Sequence, residues 1–116
     1  ALIALSSRAS FVDITDPARP RIVGFLPAHT ELPTSNREIN VYRDHAFVVA
    51  DGAGPHGIQI FDLTRLRNAR GGPVRFTETA WYGEVGRVHT LFINTETGFA
   101  YANGSDRCSG SIAASD

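Results

Sequence analysis

The sequence predicts an all-β fold made of short strands. Runs of β-branched and aromatic residues recur between clusters of Gly, Pro, Asp and Asn, which is the pattern of strands separated by turns. No stretch places apolar residues at the i, i+3, i+4 and i+7 spacing of an amphipathic helix. Similar segments also recur along the chain, which indicates that the strands are grouped into like units.

The pattern predicts nine strands and one short helical turn. In chain order the predicted strands are Leu2 to Leu5, Ser10 to Ile14, Arg21 to Leu26, Glu38 to Tyr42, Ala46 to Ala50, Gly57 to Leu63, Val74 to Tyr82, Val88 to Asn94 and Phe99 to Ala102. Thr64 to Ala69 would form a turn of helix that Gly71 and Gly72 end. The polar stretch of residues 27–36 predicts a loop between units, either a solvated connection or a binding loop.

In the clearest repeat, a segment in the middle of the chain is similar in sequence to a segment in its last third. Residues 37–52, REINVYRDHAFVVADG, align without a gap on residues 89–104, HTLFINTETGFAYANG. Matched apolar positions are what a stacked core requires. In this register Ile39 matches Leu91, Val41 matches Ile93 and Phe47 matches Phe99. We therefore expect Ile39, Val41, Phe47 and Phe99 in the core, and we expect Trp81 and Tyr82 to pack between units.

A second repeat carries an acidic residue. The segment SFVDITDPARPRIVGF, which begins at Ser10, matches QIFDLTRLRNARGGPVRF further along the chain, and the last six residues, SIAASD, match GIQIFD. These alignments bring Asp13, Asp62 and Asp116 to one equivalent position just before a turn. A carboxylate at that position accepts backbone N–H groups and fixes the turn. A structural role is therefore expected for all three acids.

Each unit has the pattern of four antiparallel strands, because the link Arg43-Asp44-His45 is short enough to join antiparallel neighbours. Such a unit is a propeller blade. The chain is thus predicted to be a β-propeller fragment of about two and a half blades, with strands two to four of one blade in residues 1–27, a whole blade in 37–83 and part of a third in 88–116.

A single blade cannot bury both faces of its sheet. The expected partner is therefore the remainder of the propeller or a neighbouring chain. The chain contains no Met, and its first residue already lies in an apolar run. These two features predict that the 116 residues are a segment of a longer polypeptide.

Length and charge limit the other partners. A chain of 116 residues is about one domain. The formal net charge of −1 removes the general attraction to phosphate groups, so nucleic acid is not an expected partner. Since no apolar run approaches the roughly 20 residues of a membrane-spanning helix, direct membrane insertion of this segment is not expected.

Three segments carry a resemblance to a known family. They are ASFVDITDPARPRIVGFLPAHT, INVYRDHAFVVADGAGPHGIQIFDLTRLR and HTLFINTETGFAYANGSDRCSG, in that order. Their order resembles the LVIVD-repeat β-propellers, in particular the bacterial extracellular proteins of the choice-of-anchor B family, over nearly the whole chain. The resemblance implies a secreted protein held at the cell surface by a C-terminal anchor, with no well-established catalytic activity.

The single cysteine, Cys108, lies in the loop sequence SDRCSG. The family resemblance implies a disulfide between Cys108 and a cysteine further along the full chain. Two other interpretations stay open, namely an inert free thiol and a catalytic thiol whose pKa Arg107 lowers.

The four histidines, His29, His45, His56 and His89, do not have metal-ligand spacing, so no metal site is predicted. His45 falls in a turn, and His56 lies in DGAGPHG, where glycines permit positive φ. His89 opens the innermost strand of its blade, where propellers place residues that face the axis. Loop oxygens make Ca²⁺ a candidate ligand, although no calcium-loop motif is present and no cofactor is predicted. These oxygens belong to Asp44, Asp51, Asn103 and Asp106.

Three functions compete. The first is a non-catalytic extracellular module for binding, adhesion or scaffolding, for which His89, Glu38 and His56 are candidate binding residues. The second is a propeller enzyme, a metal-assisted hydrolase or lactonase with His89 and Glu38 at the axis. The third is a structural subunit of a surface assembly whose blade edges pair between chains. The residues identify no ligand.

Overall fold

The computed structural model describes residues 1–108, and the all-β prediction is confirmed there. Three sheets are present in this range, and none of them closes into a barrel. In chain order the strands are β1 (Leu2–Ala4), β2 (Arg8–Asp13), β3 (Arg21–Pro27), β4 (Asn36–Tyr42), β5 (His45–Asp51), β6 (Ile58–Asp62), β7 (Val74–Arg75), β8 (Ala80–Tyr82), β9 (Thr90–Ile93) and β10 (Ala100–Asn103). Two short 3-10 helices cover Leu63–Asn68 and Asp106–Cys108. Within the described residues, no helix has the length and apolar character needed to cross a membrane.

The sheets follow one another along the chain. The first has the order β1-β2-β3-β7, the second β4-β5-β6-β8, and the third contains β9 and β10. All strand pairs are antiparallel except β3 and β7, which are parallel. The predicted loop between the first two units is observed between β3 and β4.

The hairpin of β4 and β5 shows why adjacent strands pair as predicted. Its register runs from Tyr42 opposite His45 to Asn36 opposite Asp51, so only two residues form the turn. Both of them, Arg43 and Asp44, have positive φ, at 46° and 58°. Two consecutive residues with positive φ characterise the type I′ turn, whose twist matches that of the strands it joins.

The segment predicted as one strand, Val74 to Tyr82, is two strands in different sheets. Its start, β7, pairs with β3 of the first sheet, and its end, β8, pairs with β6 of the second. Between them Phe76 enters the core shared by these sheets, while its backbone N–H still donates to Phe25 O at 2.8 Å. Because Phe76 is buried in this core, the chain stops pairing with β3 after this residue and crosses to the second sheet. A single continuous strand therefore does not form.

Neighbouring sheets pack face to face. We call the face of a sheet that points toward the preceding sheet in the chain its front face, and the face that points toward the following sheet its back face. For the first sheet, the front face is the one opposite its back face, and for the third sheet, the back face is the one opposite its front face. In β5, Val48 lies on the front face and the next residue, Val49, on the back face, because successive strand residues alternate. Both side chains are fully buried. The second sheet is therefore covered on both sides.

Two separate hydrophobic cores fill the spaces between the sheets. The back face of the first sheet and the front face of the second form the core of Ala9, Phe11, Leu26, Ala46, Val48, Phe61 and Phe76. The back face of the second sheet and the front face of the third form the core of Val49, Val88, Leu91 and Ile93, against which Phe47 and Ile58 pack. Each core thus belongs to one interface between sheets.

Two of the four expected core residues are exposed. Ile39 and Phe47 pack against the two cores, but the side chains of Val41 and Phe99 are 51% and 66% exposed. Val41 lies on the edge strand β4 beside the turn, beyond the cover of the first sheet. The β9–β10 loop is longer than the β4–β5 turn, since four residues separate Asn94 from Phe99. Phe99 therefore precedes β10 and lies on the open back face of the third sheet.

We expect Phe61→Ala to lower the free energy of unfolding by about 3 to 5 kcal/mol. Phe61 is fully buried, and its ring stacks on that of Phe11 at a centroid distance of 4.8 Å. The control Ile14→Ala changes an exposed side chain and should stay within about 0.5 kcal/mol of the parent protein. Urea unfolding followed by circular dichroism measures both variants. Equal stability of the two would contradict the packing of this core.

Candidate functional site

A cluster of polar and aromatic side chains lies between the first and second sheets, beside the end of β3. We call it the inter-sheet polar cluster. Its members come from the β3–β4 loop, from β4, from the glycine-rich loop after β5, from β6, and from the segment that ends in β8. They are His29, Arg37, His56, Gln59, Glu78 and Trp81.

The glycine-rich loop places His56 inside the protein. Gly52, Gly54 and Gly57 all have positive φ, between 65° and 74°, which is the backbone freedom expected of this loop. A Cβ on Gly57 would lie 2.6 Å from Trp81 Nε1 and 2.6 Å from Tyr82 O, so only glycine fits there. The tight loop leaves His56 fully buried.

The hydrogen bonds of His56 establish its protonation. Arg37 Nη1 lies 2.8 Å from His56 Nε2, and a guanidinium can only donate, so Nε2 is the acceptor. The proton is therefore on Nδ1, which donates to Gly57 O at 3.0 Å. Burial is the largest cause that lowers the pKa of His56, and the nearby charge of Arg37 acts in the same direction. His56 is thus a neutral imidazole.

Arg37 joins the second sheet to the first. Its Nε donates to Leu5 O at 3.0 Å, and its Nη2 lies 3.4 Å from Ser6 O. Burial lowers the pKa of the Arg37 guanidinium, although arginine remains charged in proteins. The cation is held by carbonyl oxygens and by the neutral imidazole of His56. Because Leu5 and Ser6 connect β1 to β2, this clamp fixes the distance between the two sheets.

His29 and Trp81 form the second contact between the sheets in this cluster. Their rings stack with centroids 4.1 Å apart and an angle of 9° between planes. His29 Nδ1 lies 2.9 Å from Glu78 Oε1, and Trp81 Nε1 donates to His56 O at 2.8 Å. The Glu78 carboxylate thereby orients the imidazole of His29 and leaves its Nε2 outside that pair.

Gln59 lies at the bottom of the cluster and is almost fully buried. Its Nε2 donates to Pro27 O at 2.9 Å and to Glu78 Oε2 at 2.8 Å. Its Oε1 is a buried acceptor that has no hydrogen-bond partner among the described residues. A cavity of about 220 Å³ opens beside it, lined in part by His29, Phe76 and Glu78. The cluster can therefore both hold the sheets together and offer polar groups to a small ligand.

His89, the predicted axis residue, lies at the other interface between sheets. Its Nδ1 is 2.9 Å from Asp51 Oδ2, and Arg87 Nε is 3.8 Å from Asp51 Oδ1. The Asp51 carboxylate orients the imidazole, which is half-exposed. Glu38 instead accepts a hydrogen bond from Asn40 within β4. Among the described residues Glu38, His56 and His89 thus have separate hydrogen-bond partners, and their role as binding residues stays a prediction.

Three of the residues considered as Ca²⁺ ligands have hydrogen-bond or ion-pair partners within the protein. Asp51 faces His89, Asp106 Oδ1 accepts from Gly86 N at 3.0 Å, and Asn103 Nδ2 lies 3.4 Å from Thr90 Oγ1. Across the described part of the chain, no three His, Cys, Asp or Glu side chains converge as metal ligands.

The repeated acids Asp13 and Asp62 have the same geometry. Oδ1 of each accepts the backbone N–H of the threonine two residues later at 2.9 Å and that threonine's hydroxyl at 2.7 Å. The hydroxyl is the first cause that lowers the pKa of Asp13 to about 2, and Thr64 likewise lowers that of Asp62. The two positions are thus equivalent in structure. The third acid, Asp116, and the side chain of Cys108 lie outside the described residues.

For several members of the cluster the sequence predicts no site role. The sequence places His29 among four histidines without metal-ligand spacing and predicts a packing role between units for Trp81. The sequence contains one signal for Gln59, because it occupies a front-face position in the alternation of IQIFD, two residues before the buried Phe61. Glu78 has no such signal, since its contact with His29 joins residues 49 positions apart.

We expect Gly57→Ala to destabilise the protein more than Gly71→Ala. Both glycines have positive φ, and this conformation costs a residue with a Cβ about 1 to 2 kcal/mol. Only Gly57 adds a steric clash, with Trp81 and Tyr82, for which a further 1 to 3 kcal/mol is a rough expectation. Urea unfolding, together with the fluorescence of the single tryptophan, measures the difference. Equal losses would argue against the close packing of Trp81 on Gly57.

We expect stability to fall as the pH drops below 6.5, the ordinary pKa of histidine. The pKa of His56 is lower in the folded than in the unfolded protein, so the unfolded state binds the proton more readily. The contribution of His56 is present above pH 6.5 and is lost as the pH falls through its folded pKa. One proton accounts for at most about 1.4 kcal/mol per pH unit.

Unfolding free energies measured between pH 5 and pH 8 test this expectation. The variant His56→Gln should flatten the dependence, whereas His45→Gln, in the β4–β5 turn, should leave it unchanged. If His56→Gln keeps the same dependence of the unfolding free energy on pH, the buried imidazole is not the cause of that dependence.

Comparisons with protein-family models, with curated proteins and with solved structures find no match for this chain.

Proposed function

We propose that this chain is a segment of an extracellular β-propeller of the LVIVD-repeat type, similar to the choice-of-anchor B family, and that it acts as a non-catalytic module for binding, adhesion or scaffolding. The observation that carries the proposal is the second sheet, which is covered on its front face by the first sheet and on its back face by the third. Propeller blades pack against their neighbours in the same way.

The sequence repeat supports the same proposal, because equivalent residues lie on equivalent faces. Ile39 and its match Leu91 both lie on front faces and pack toward the preceding sheet. Asp13 and its match Asp62 fix the same kind of turn at the ends of β2 and β6. The proposed blades in residues 1–27, 37–83 and 88–116 are built on the first, second and third sheets. The strand β7 lies within residues 37–83 but pairs with β3, at the edge of the first sheet.

The polar cluster supports a scaffold more than a reaction centre. Arg37, His56 and Gln59 are engaged in hydrogen bonds that tie the first sheet to the second. Binding would then use the loops and exposed faces of a rigid body. The half-exposed His89, oriented by Asp51, is the observation on which an axial hydrolase would rest, so the test of function includes this residue.

Assays of ester and lactone hydrolysis, with Ca²⁺ or with a chelator, test the non-catalytic assignment. We expect the parent protein and His89→Ala to give the rate of the buffer. His45→Ala is the matched control, because it removes an imidazole whose Nδ1 bonds to the carbonyl of Arg43 in its own turn. Turnover that His89→Ala abolishes and His45→Ala retains would overturn the assignment in favour of the propeller enzyme.

Surface labelling tests the extracellular location. An antibody raised against the 116 residues should label intact cells of the source organism, and the antigen should have a mass several times 12.5 kDa, because a propeller needs further blades. Labelling that requires permeabilised cells would overturn the location. An antigen of 12.5 kDa would overturn the longer chain.

A further inference from the structure

We infer that the cavity between the first and second sheets binds the ammonium group of a small aliphatic amine. This site rests on the binding role proposed above, for which it supplies a location and a class of ligand. The cavity has a volume of about 220 Å³ and is lined by residues of both sheets and of the segments next to them. These two sheets pack on each other within the chain, so described residues form its wall.

The first observation is a buried acceptor in this wall. Gln59 lines the cavity, and its Nε2 donates to Pro27 O at 2.9 Å and to Glu78 Oε2 at 2.8 Å. Both partners are acceptors, so the side-chain amide cannot be turned over. Its Oε1 is therefore the acceptor that is buried without a partner among the described residues. A buried acceptor without a donor is costly, so a ligand that brings an N–H group there gains a hydrogen bond.

The second observation is a carboxylate in the same wall. Glu78 lines the cavity, accepts from Gln59 Nε2 and lies 2.9 Å from His29 Nδ1. A carboxylate has about four acceptor positions, so these contacts leave others free. An ammonium group carries a positive charge and three N–H donors. It can donate to Glu78 and to the Gln59 amide oxygen together, whereas a hydroxyl group brings one donor and no charge.

Arg75 is the only arginine among the described residues that line the cavity. Its neighbour Val74 packs against the core on the back face of the first sheet. Because successive strand residues point to opposite faces, the Arg75 side chain lies on the front face of that sheet, away from the cavity. Its guanidinium therefore neither neutralises Glu78 nor offers a site for an anion. The charge inside the cavity favours a cation.

The rest of the wall is apolar and limits the body of the ligand. Leu26, Ala28 and Phe76 are buried residues of this wall. They can cover a short hydrocarbon chain attached to the ammonium group. The volume of 220 Å³ is below the roughly 300 Å³ at which sites for drug-sized molecules begin. The cavity therefore suits an amine of a few carbon atoms.

Titration of the protein with n-butylammonium chloride at neutral pH tests the inference. The side-chain amide signal of Gln59, identified by its loss in Gln59→Leu, is followed by nuclear magnetic resonance. The signal should shift and saturate. The matched probe n-butanol has the same hydrocarbon chain without the charge, and it should bind at least about tenfold more weakly, because hydrogen bonds between charged groups are the stronger ones. Equal affinity for the two probes would overturn the ammonium site.

Two variants with the same substitution separate the cavity from general charge attraction. Glu78→Gln removes the charge but keeps an oxygen that can accept from Gln59, and it should weaken n-butylammonium binding at least about tenfold. Glu84→Gln removes an exposed carboxylate that pairs with Arg107, and it should bind like the parent protein. Circular dichroism checks that both variants keep the β fold.

A parent protein that shows no saturable binding, or equal weakening in Glu78→Gln and Glu84→Gln, would contradict the inference. These outcomes leave the results of the hydrolysis and labelling experiments unchanged. The proposed function therefore fails by different measurements from those that test the amine site.

Discussion

The fold depends on the burial of a sheet that is apolar on both faces. In β5, adjacent residues such as Val48 and Val49 point to opposite sides, and both are fully buried. A sheet of this kind is stable only between two neighbours, because water on either side would contact a continuous apolar surface. The stacking of three sheets, the two separate cores and the exposed faces at the ends of the stack follow from this constraint.

Polar groups inside the stack then fix how the sheets are placed. Apolar contacts alone tolerate small shifts between sheets, since they have no preferred direction. The bonds of Arg37 to the carbonyls of Leu5 and Ser6, and of Gln59 to that of Pro27, have defined lengths and angles. Losing them would leave buried charge or amide groups without partners, which costs more than the bonds contribute. The inter-sheet polar cluster therefore determines the alignment of the first two sheets.

Local chemistry could be predicted from the sequence, and contacts between distant residues could not. The β4–β5 hairpin and the turns at Asp13 and Asp62 depend on residues close in the chain, so the pattern of strands and turns locates them. The division of Val74 to Tyr82 depends on the burial of Phe76 between two sheets, which alternation within the segment does not reveal. The exposure of Phe99 depends on which sheet faces are covered, and the pair of His29 with Glu78 depends on how the first two sheets meet.

The segment from β7 to β8 adds a strand to the edge of the first sheet and then a strand to the edge of the second. Pulling either edge strand free also extracts Phe76 from the core that both sheets share. The first two sheets consequently form one cooperative unfolding unit in which amide protons exchange together. Among the described residues no such segment links the second sheet to the third, so opening β9 and β10 does not extract Phe76, but it exposes Val49 to water and thereby weakens the second sheet as well.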